Sequence, residues 1–427
     1  MLPKPSGMDN FAPSKSLQMK IILVPILLFT LGQVAIADDW PRWRGANHDD
    51  ISTETGLLKS WPSGGPKRLW LSKDIGIGYS TPAVAKGKLF ILGTKDEKEH
   101  LFAKAVKTGD TLWAIPLNSV FSNNWGNGPR GAATVDGENV YALGAKGGLV
   151  CASAADGEIL WKVDLVDDLG GKAPYWGYSE SVLVDGDLVI CTPGGGKGTL
   201  AALDKNTGDV KWRSGDWKDG AQYASPVPAT INGRRQIVQL TQKTLAGVSA
   251  LNGKVLWKNA WPGRTAVIPT PIIQGNQVYI SSGYGVGCRK ITLGSDDSVR
   301  EDYSNRNMKN HHGGVLLKGG HLYGYSDGRG WTCQNLKTGE VVWDSKKLGK
   351  GCIFYADNRL YCMDEGSGTV VLASADTKGW KEHGRFKLEP QTELRKPAGR
   401  IWTHPVVSNG VLYLRDQELL FAFDVKK

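Results

Sequence analysis

Six cysteines in 427 residues form no CxxC, no adjacent pair and no CxxCH, which removes dithiol redox and covalently held haem from the candidate chemistries. The longest apolar run, Ile21–Leu31, has 11 residues and is too short to span a bilayer. No Pro- or Ser-rich linker interrupts the chain after residue 40, so nothing divides it into separate domains. The glycine-rich PGGGKG at Pro193–Gly198 lacks the terminal Ser or Thr and the strand–helix setting of a phosphate loop. His311 and His312 are adjacent; on a strand they point to opposite faces, so no metal site is expected from them. No nucleophile constellation of a hydrolase is present.

The first residues read as an address. Ile21–Leu31 suits a signal-peptide core, and Ala35-Ile36-Ala37 supplies a small-x-small cleavage site. Export to the periplasm or the exterior is expected, with cleavage after Ala37. Met19-Lys20 immediately before the run offers an alternative start. No Cys stands at the cleavage site, which argues against a lipid anchor. Removing residues 1–37 leaves a net charge of about +8 from the full chain's +10. This is either a scattered solvated surface or one that seeks anions such as acidic glycans; nucleic acid is not expected as a partner, and a monomer is.

What is present is repetition. Thr108-Gly109 leads to Trp113, Asp156-Gly157 to Trp161, Thr207-Gly208 to Trp212, Asn252-Gly253 to Trp257 and Thr338-Gly339 to Trp343, the Trp always four residues after the Gly. Each copy predicts a strand, a tight turn at the Gly and a second strand. The Trp intervals are 48, 51, 45 and 86, the last being two units, and periods of this length with several strands each mean a propeller. Cys151 and Cys333 stand where the other copies have Ala103, Ala202 and Gly247, so they read as small core residues. Cys352 and Cys362 flank the Ala356–Arg359 turn symmetrically, leaving a cross-hairpin disulfide open.

Eight blade openings align: Tyr79–Val84, Arg130–Val135, Tyr178–Leu183, Tyr223–Pro228, Ile268–Ile273, His311–Leu316, Gly349–Phe354 and Trp402–Val407. The expected fold is therefore all-β, an eight-bladed β-propeller of four-stranded antiparallel blades over residues 67–427. The last blade lacks an outer strand, and Arg68–Asp74 is an orphan strand, so the N-terminal strand is expected to close the ring. Tyr303 replaces the Trp in blade five, and Trp380 follows a blurred turn in blade seven. Residues 38–66 form an arm whose WPRWRGANHDD and Trp61 are expected to clamp the propeller surface.

These AxDxxTGxxxW hairpins and the W-x-x-W-x-G segment resemble the pyrroloquinoline-quinone (PQQ) type repeat proteins, over essentially Trp40–Val425. That superfamily holds quinoprotein alcohol dehydrogenases and the outer-membrane assembly propellers of the periplasm. The resemblance implies either a binding or scaffold propeller, or a PQQ- and calcium-dependent dehydrogenase. In the second case Glu180 would serve as ligand or base, and Trp176 or Trp402 as a stacking face.

Independently of family, the aligned openings name the side chains that line the bore, because alternate residues of an inner strand face it. One ring is Tyr79, Arg130, Tyr178, Tyr223, Ile268, His311, Gly349 and Trp402; the ring below is Thr81, Ala132, Glu180, Ser225, Thr270, Gly313, Gly351 and His404. Glu180 and His404 are the candidate catalytic pair, although a Glu hydrogen-bonded to nearby backbone is the structural alternative. Lys197, Arg329 and Arg415 lie in turns on the same face, giving a cationic collar around an aromatic mouth. Such a mouth suits a flat or anionic ligand: PQQ, an acidic sugar or a polypeptide tail.

Overall fold

In each of the five repeat hairpins the Trp pairs with the small residue ten positions earlier. Trp113 faces Ala103, Trp161 faces Cys151, Trp212 faces Ala202, Trp257 faces Gly247 and Trp343 faces Cys333. These small residues are fully buried, as a bulky indole across the pair requires. The computed structural model describes Met1 and residues 39–427; the leader expected over residues 1–37 lies outside the described residues, Met1 apart. Among the described residues there is no helix, and thirty-two strands form eight four-stranded antiparallel sheets. This is an eight-bladed β-propeller.

The recurring Gly and Trp act between blades. The Gly of each turn has a positive φ, and the outer-strand aromatic of the preceding blade lies on it. A Cβ on Gly109 would meet Trp70 at 2.6 Å, and one on Gly157 would meet Trp113 at 2.8 Å. The indole then donates to a carbonyl of that next blade: Trp70 to Val106, Trp113 to Ala155, Trp161 to Lys205, Trp212 to Ala250 and Trp343 to Asp376, at 2.9–3.2 Å. Tyr303 does the same through its hydroxyl, 3.0 Å from the Leu336 carbonyl. Blade five is therefore degenerate in sequence but joined like the others. In blade seven Trp380 instead packs on Trp331 and Trp343.

Ring closure follows the expected route. Lys67–Ser72 pairs antiparallel with Leu419–Asp424 and becomes the outer strand of the blade that contains Val406–Ser408 and Val411–Asp416. Cys352 faces Met363 and Cys362 faces Ile353, so the two thiols lie one register step apart and both are free and buried.

The arm lies in the bore as well as over the surface. Trp40 exchanges backbone hydrogen bonds with Val84 of blade one, and the Pro41 carbonyl accepts from Val135 of blade two. Trp43 donates to Thr270 Oγ1 of blade five, and Arg44 to the Val315 carbonyl of blade six. Asp50 and Ser52 bracket Tyr355 of blade seven, and Glu54 accepts from Gly410 of blade eight at 2.6 Å. Gly45 permits this path: its φ is +78°, and the Trp40 ring occupies the space of a Cβ. Buried Arg44 pairs with buried Asp50 at 3.1 Å. The arm contacts the inner strands at the end where they turn outward, so it stops the bore opposite the mouth.

Candidate functional site

With the far end stopped, the bore becomes a blind cup of about 260 Å³. Trp43 lies at the bottom, 4.6 Å between ring centres from His404. Tyr79, Trp125, Trp176, Tyr223, Tyr284 and Trp402 supply the walls and lip. Their rings interlock: Tyr79 with Trp402 at 5.1 Å, Trp176 with Tyr223 at 5.8 Å and Trp125 with Trp176 at 6.4 Å. Tyr175, 72% exposed, stacks edge-on against Trp176 just outside the lip.

Arg130 lies in the wall between two aromatic faces, 4.8 Å from the Phe121 centroid and 5.5 Å from that of Tyr79. It donates to the carbonyls of Gly128 and Gly126 at 2.6 and 2.8 Å. Burial pushes its pKa down to about 10, so it remains a cation at neutral pH. Among the described residues no carboxylate lines the cup.

The expected ring of bore residues holds for Tyr79, Arg130, Tyr223, Ile268, His311, Trp402 and His404, and for Thr81 and Ser225. Ala132, Thr270, Gly313, Gly349 and Gly351 of the expected rings are not among the lining residues, and in blade three the register itself is different. There Ser179 and Ser181 face the cup, while Tyr178 and Glu180 face the sheet stack. The turn at Gly186 corresponds to that at Gly137, and counting back from those turns aligns Ser179 with Arg130; a one-residue slip exchanges the two faces of a strand. Tyr178 donates to the Pro193 carbonyl at 3.0 Å inside the core. Glu180 is 1% exposed and accepts from the Thr192 N–H at 2.6 Å, with its second oxygen unpartnered. Burial raises its pKa to about 7, against the lowering effect of the Thr192 hydrogen bonds.

The cationic collar is also rearranged. Arg415 is fully buried and donates to four carbonyls, those of Gln417, Ser80, Leu92 and Gly76, at 2.6–3.2 Å, stitching blade eight to blade one. Arg329 pairs with Asp344 at 3.1 Å, away from the cup. Lys197 is exposed in its turn and does not line the cup.

A polar cluster between blades six to eight was not anticipated. His311 and His312 both line the cup, because they lie ahead of the strand Val315–Lys318 and not within it. Lys350 bridges His311 Nδ1 at 2.7 Å and Asp327 at 2.8 Å. His312 Nε2 lies 2.9 Å from Glu365, which also accepts from the Trp402 indole at 3.1 Å. Burial acts to raise the Glu365 pKa, but His312, Lys350 and Trp402 together hold it below the ordinary value. His404 places Nε2 3.0 Å from the His312 carbonyl; a carbonyl only accepts, so the proton is on Nε2. Burial lowers the His404 pKa to about 3 and that of His311 to about 2, so both are neutral at physiological pH.

Residues 97–345 match the family described as outer membrane protein assembly factor BamB. The chain belongs to this family. A relative of that description from Yersinia pestis is 22% identical over 392 residues, covering 87% of this chain and 81% of that protein. The crystal structure of BamB from Moraxella catarrhalis superposes with a TM-score of 0.58 at 15% identity, covering 83% of this chain and 98% of that one. Quinohemoprotein alcohol dehydrogenase from Comamonas testosteroni gives 0.62 at 11% identity, with 91% and 81% covered. At these identities the two structural likenesses show a shared fold.

The residues present do not fit a calcium-held quinone. Calcium takes several oxygen ligands, usually including carboxylates. Glu180 is turned into the sheet stack, and Glu365 is engaged by His312 and Trp402. Among the described residues no group of three or more His, Cys, Asp or Glu side chains is placed to hold a metal.

Proposed function

We propose that the chain is an exported binding and scaffold propeller that receives part of its partner in the cup at the mouth. The carrying observation is the cup itself: an aromatic well, stopped by the chain's own arm, whose lining among the described residues includes the Arg130 cation and no carboxylate. Exposed Tyr175, Trp125 and Tyr284 continue the apolar surface outward from the lip, which suits a polypeptide or glycan larger than the well. The assembly-factor description of the matched family supports the scaffold reading. No helix among the described residues is long and apolar enough to cross a membrane.

Two measurements test this. Incubation with PQQ and Ca²⁺ is expected to give no stoichiometric quinone absorbance and no dye reduction with alcohols or sugars; turnover would overturn the proposal. A photo-crosslinking residue at Tyr175 on the lip is expected to form adducts in the native compartment that Trp176→Ala abolishes. The same residue at Asp187 on the far face is expected to form none, and equal labelling from both faces would also contradict the reading.

A further inference from the structure

The hydrogen bonds beneath the aromatic wall define what the cup receives. Thr81 Oγ1 accepts from the His404 N–H at 3.2 Å, Ser181 Oγ from the Ala132 N–H at 2.8 Å, and Ser225 Oγ from the Ser181 N–H at 2.9 Å. Each bond crosses from one blade to its neighbour, so the three hydroxyls are held as part of the ring. All three are buried, at 5–6% exposure, and all line the cup. A hydroxyl carries one proton beside its lone pairs. One lone pair of each is taken here by a backbone N–H, and among the described residues none of the three hydroxyls donates its proton to a protein acceptor. The floor therefore offers donors to whatever enters.

A donor surface at the end of an aromatic well is matched by an acceptor group, most strongly by an anion, since charge-assisted hydrogen bonds are about twice as strong as neutral ones. Arg130 in the wall supplies the matching sign, and among the described residues no lining carboxylate opposes it. The walls add a second requirement. The rings of Tyr79, Trp176, Tyr223 and Trp402 that line the walls favour a flat or ring-shaped body. Because Trp43 stops the bore, the group that enters must be terminal.

We propose that the cup is specific for a ring bearing a carboxylate, presented end-on, with the carboxylate on the hydroxyls of Ser181 and Ser225, which lie on adjacent blades, and the ring between the aromatic walls. Two sources share this chemistry: the terminal uronic acid of a glycan, and an aromatic acid. This assignment rests on the mouth being the binding surface.

The test is calorimetric titration of the intact protein with D-galacturonate, D-galactose, benzoate and inorganic sulfate. At least one ring acid is expected to bind saturably, about tenfold or more tighter than neutral galactose, and sulfate is expected to bind at least tenfold more weakly. Tighter galacturonate assigns the ring to a uronic acid, and tighter benzoate assigns it to an aromatic acid. Galactose matching galacturonate, or sulfate matching both acids, overturns the proposal, as does failure of both acids to bind. Ser225→Ala is expected to weaken the acid about tenfold and leave galactose unchanged, with Ser225→Thr restoring it; equal loss for acid and sugar would contradict the donor role. The lip crosslinking from Tyr175 does not depend on ring acids, so its success beside failed titrations would remove this inference and leave the binding role standing.

Discussion

Replacing Glu180 by Gln separates a scaffold carboxyl from a site carboxyl, because the structure fixes both sign and window. The buried carboxyl titrates at about 7 in the folded protein against 4.5 for the exposed group. Between those values the unfolded chain has lost a proton that the folded chain keeps, so stability falls as pH rises. The stabilisation is complete below about 4.5, declines across the window and is gone above 7. At about 1.36 kcal/mol per unit, the shift corresponds to roughly 3 kcal/mol. Gln imitates the protonated acid in shape, and its oxygen can still accept from Thr192. Urea unfolding followed by tryptophan fluorescence should therefore show the variant near wild type at pH 4.5 and more stable by about 3 kcal/mol at pH 8.5. Taking the difference between the two proteins cancels the other titrating groups. A difference that does not change with pH, or a variant that is weaker at pH 8.5, would refute this account of Glu180.

Three further outcomes follow from the same geometry. His404→Gln should flatten the acid limb: the unfolded imidazole takes its proton near 6.5 and the folded one near 3, so wild type loses stability as pH falls through that interval, by roughly 3 kcal/mol at pH 4, and the variant avoids that loss. Gly109→Ala should cost about 1–3 kcal/mol, from the positive φ and from contact with Trp70 on the closing strand; a neutral result in urea unfolding would contradict the closure contact. Arg415→Met, which leaves four carbonyls without their donor, should destabilise by about 3 kcal/mol or more. Its binding of the ring acid should persist wherever the variant is folded, since Arg415 is away from the cup.

The fold was legible because its signal is local and repeated. A turn Gly and a Trp four residues on are visible in five copies, and in four of them the structure shows the Trp indole bonded to the next blade, Trp257 donating instead to Gln236 of its own. Ring closure was legible for a related reason, as a surplus strand at one end matched a deficit at the other. Register inside an opening was less secure. Tyr178 resembles Tyr79 and Tyr223 by type, and aligning it with them moved Glu180 from the sheet stack into the bore; the Gly186 turn was the better guide, since the backbone fixes the count from a turn. The arm's WPRWRG was visible, but its course depends on bonds to residues as distant as Thr270 and Val315. Nothing near Arg415 in sequence announces the four carbonyls that surround it. The contact of His312 with Glu365 likewise joins two separate blades and leaves no pattern in either.

The cup is tested most directly by fluorine NMR of protein labelled with 5-fluorotryptophan, each of the 16 Trp residues assigned by its Trp→Phe variant. Saturation with the bound ring acid should move Trp43, Trp125, Trp176 and Trp402, which surround the cup, and leave Trp113, Trp161, Trp212 and Trp343 between the blades in place. Stationary cup resonances, or movement confined to the inter-blade set, would contradict the placement of the binding site in the stopped bore.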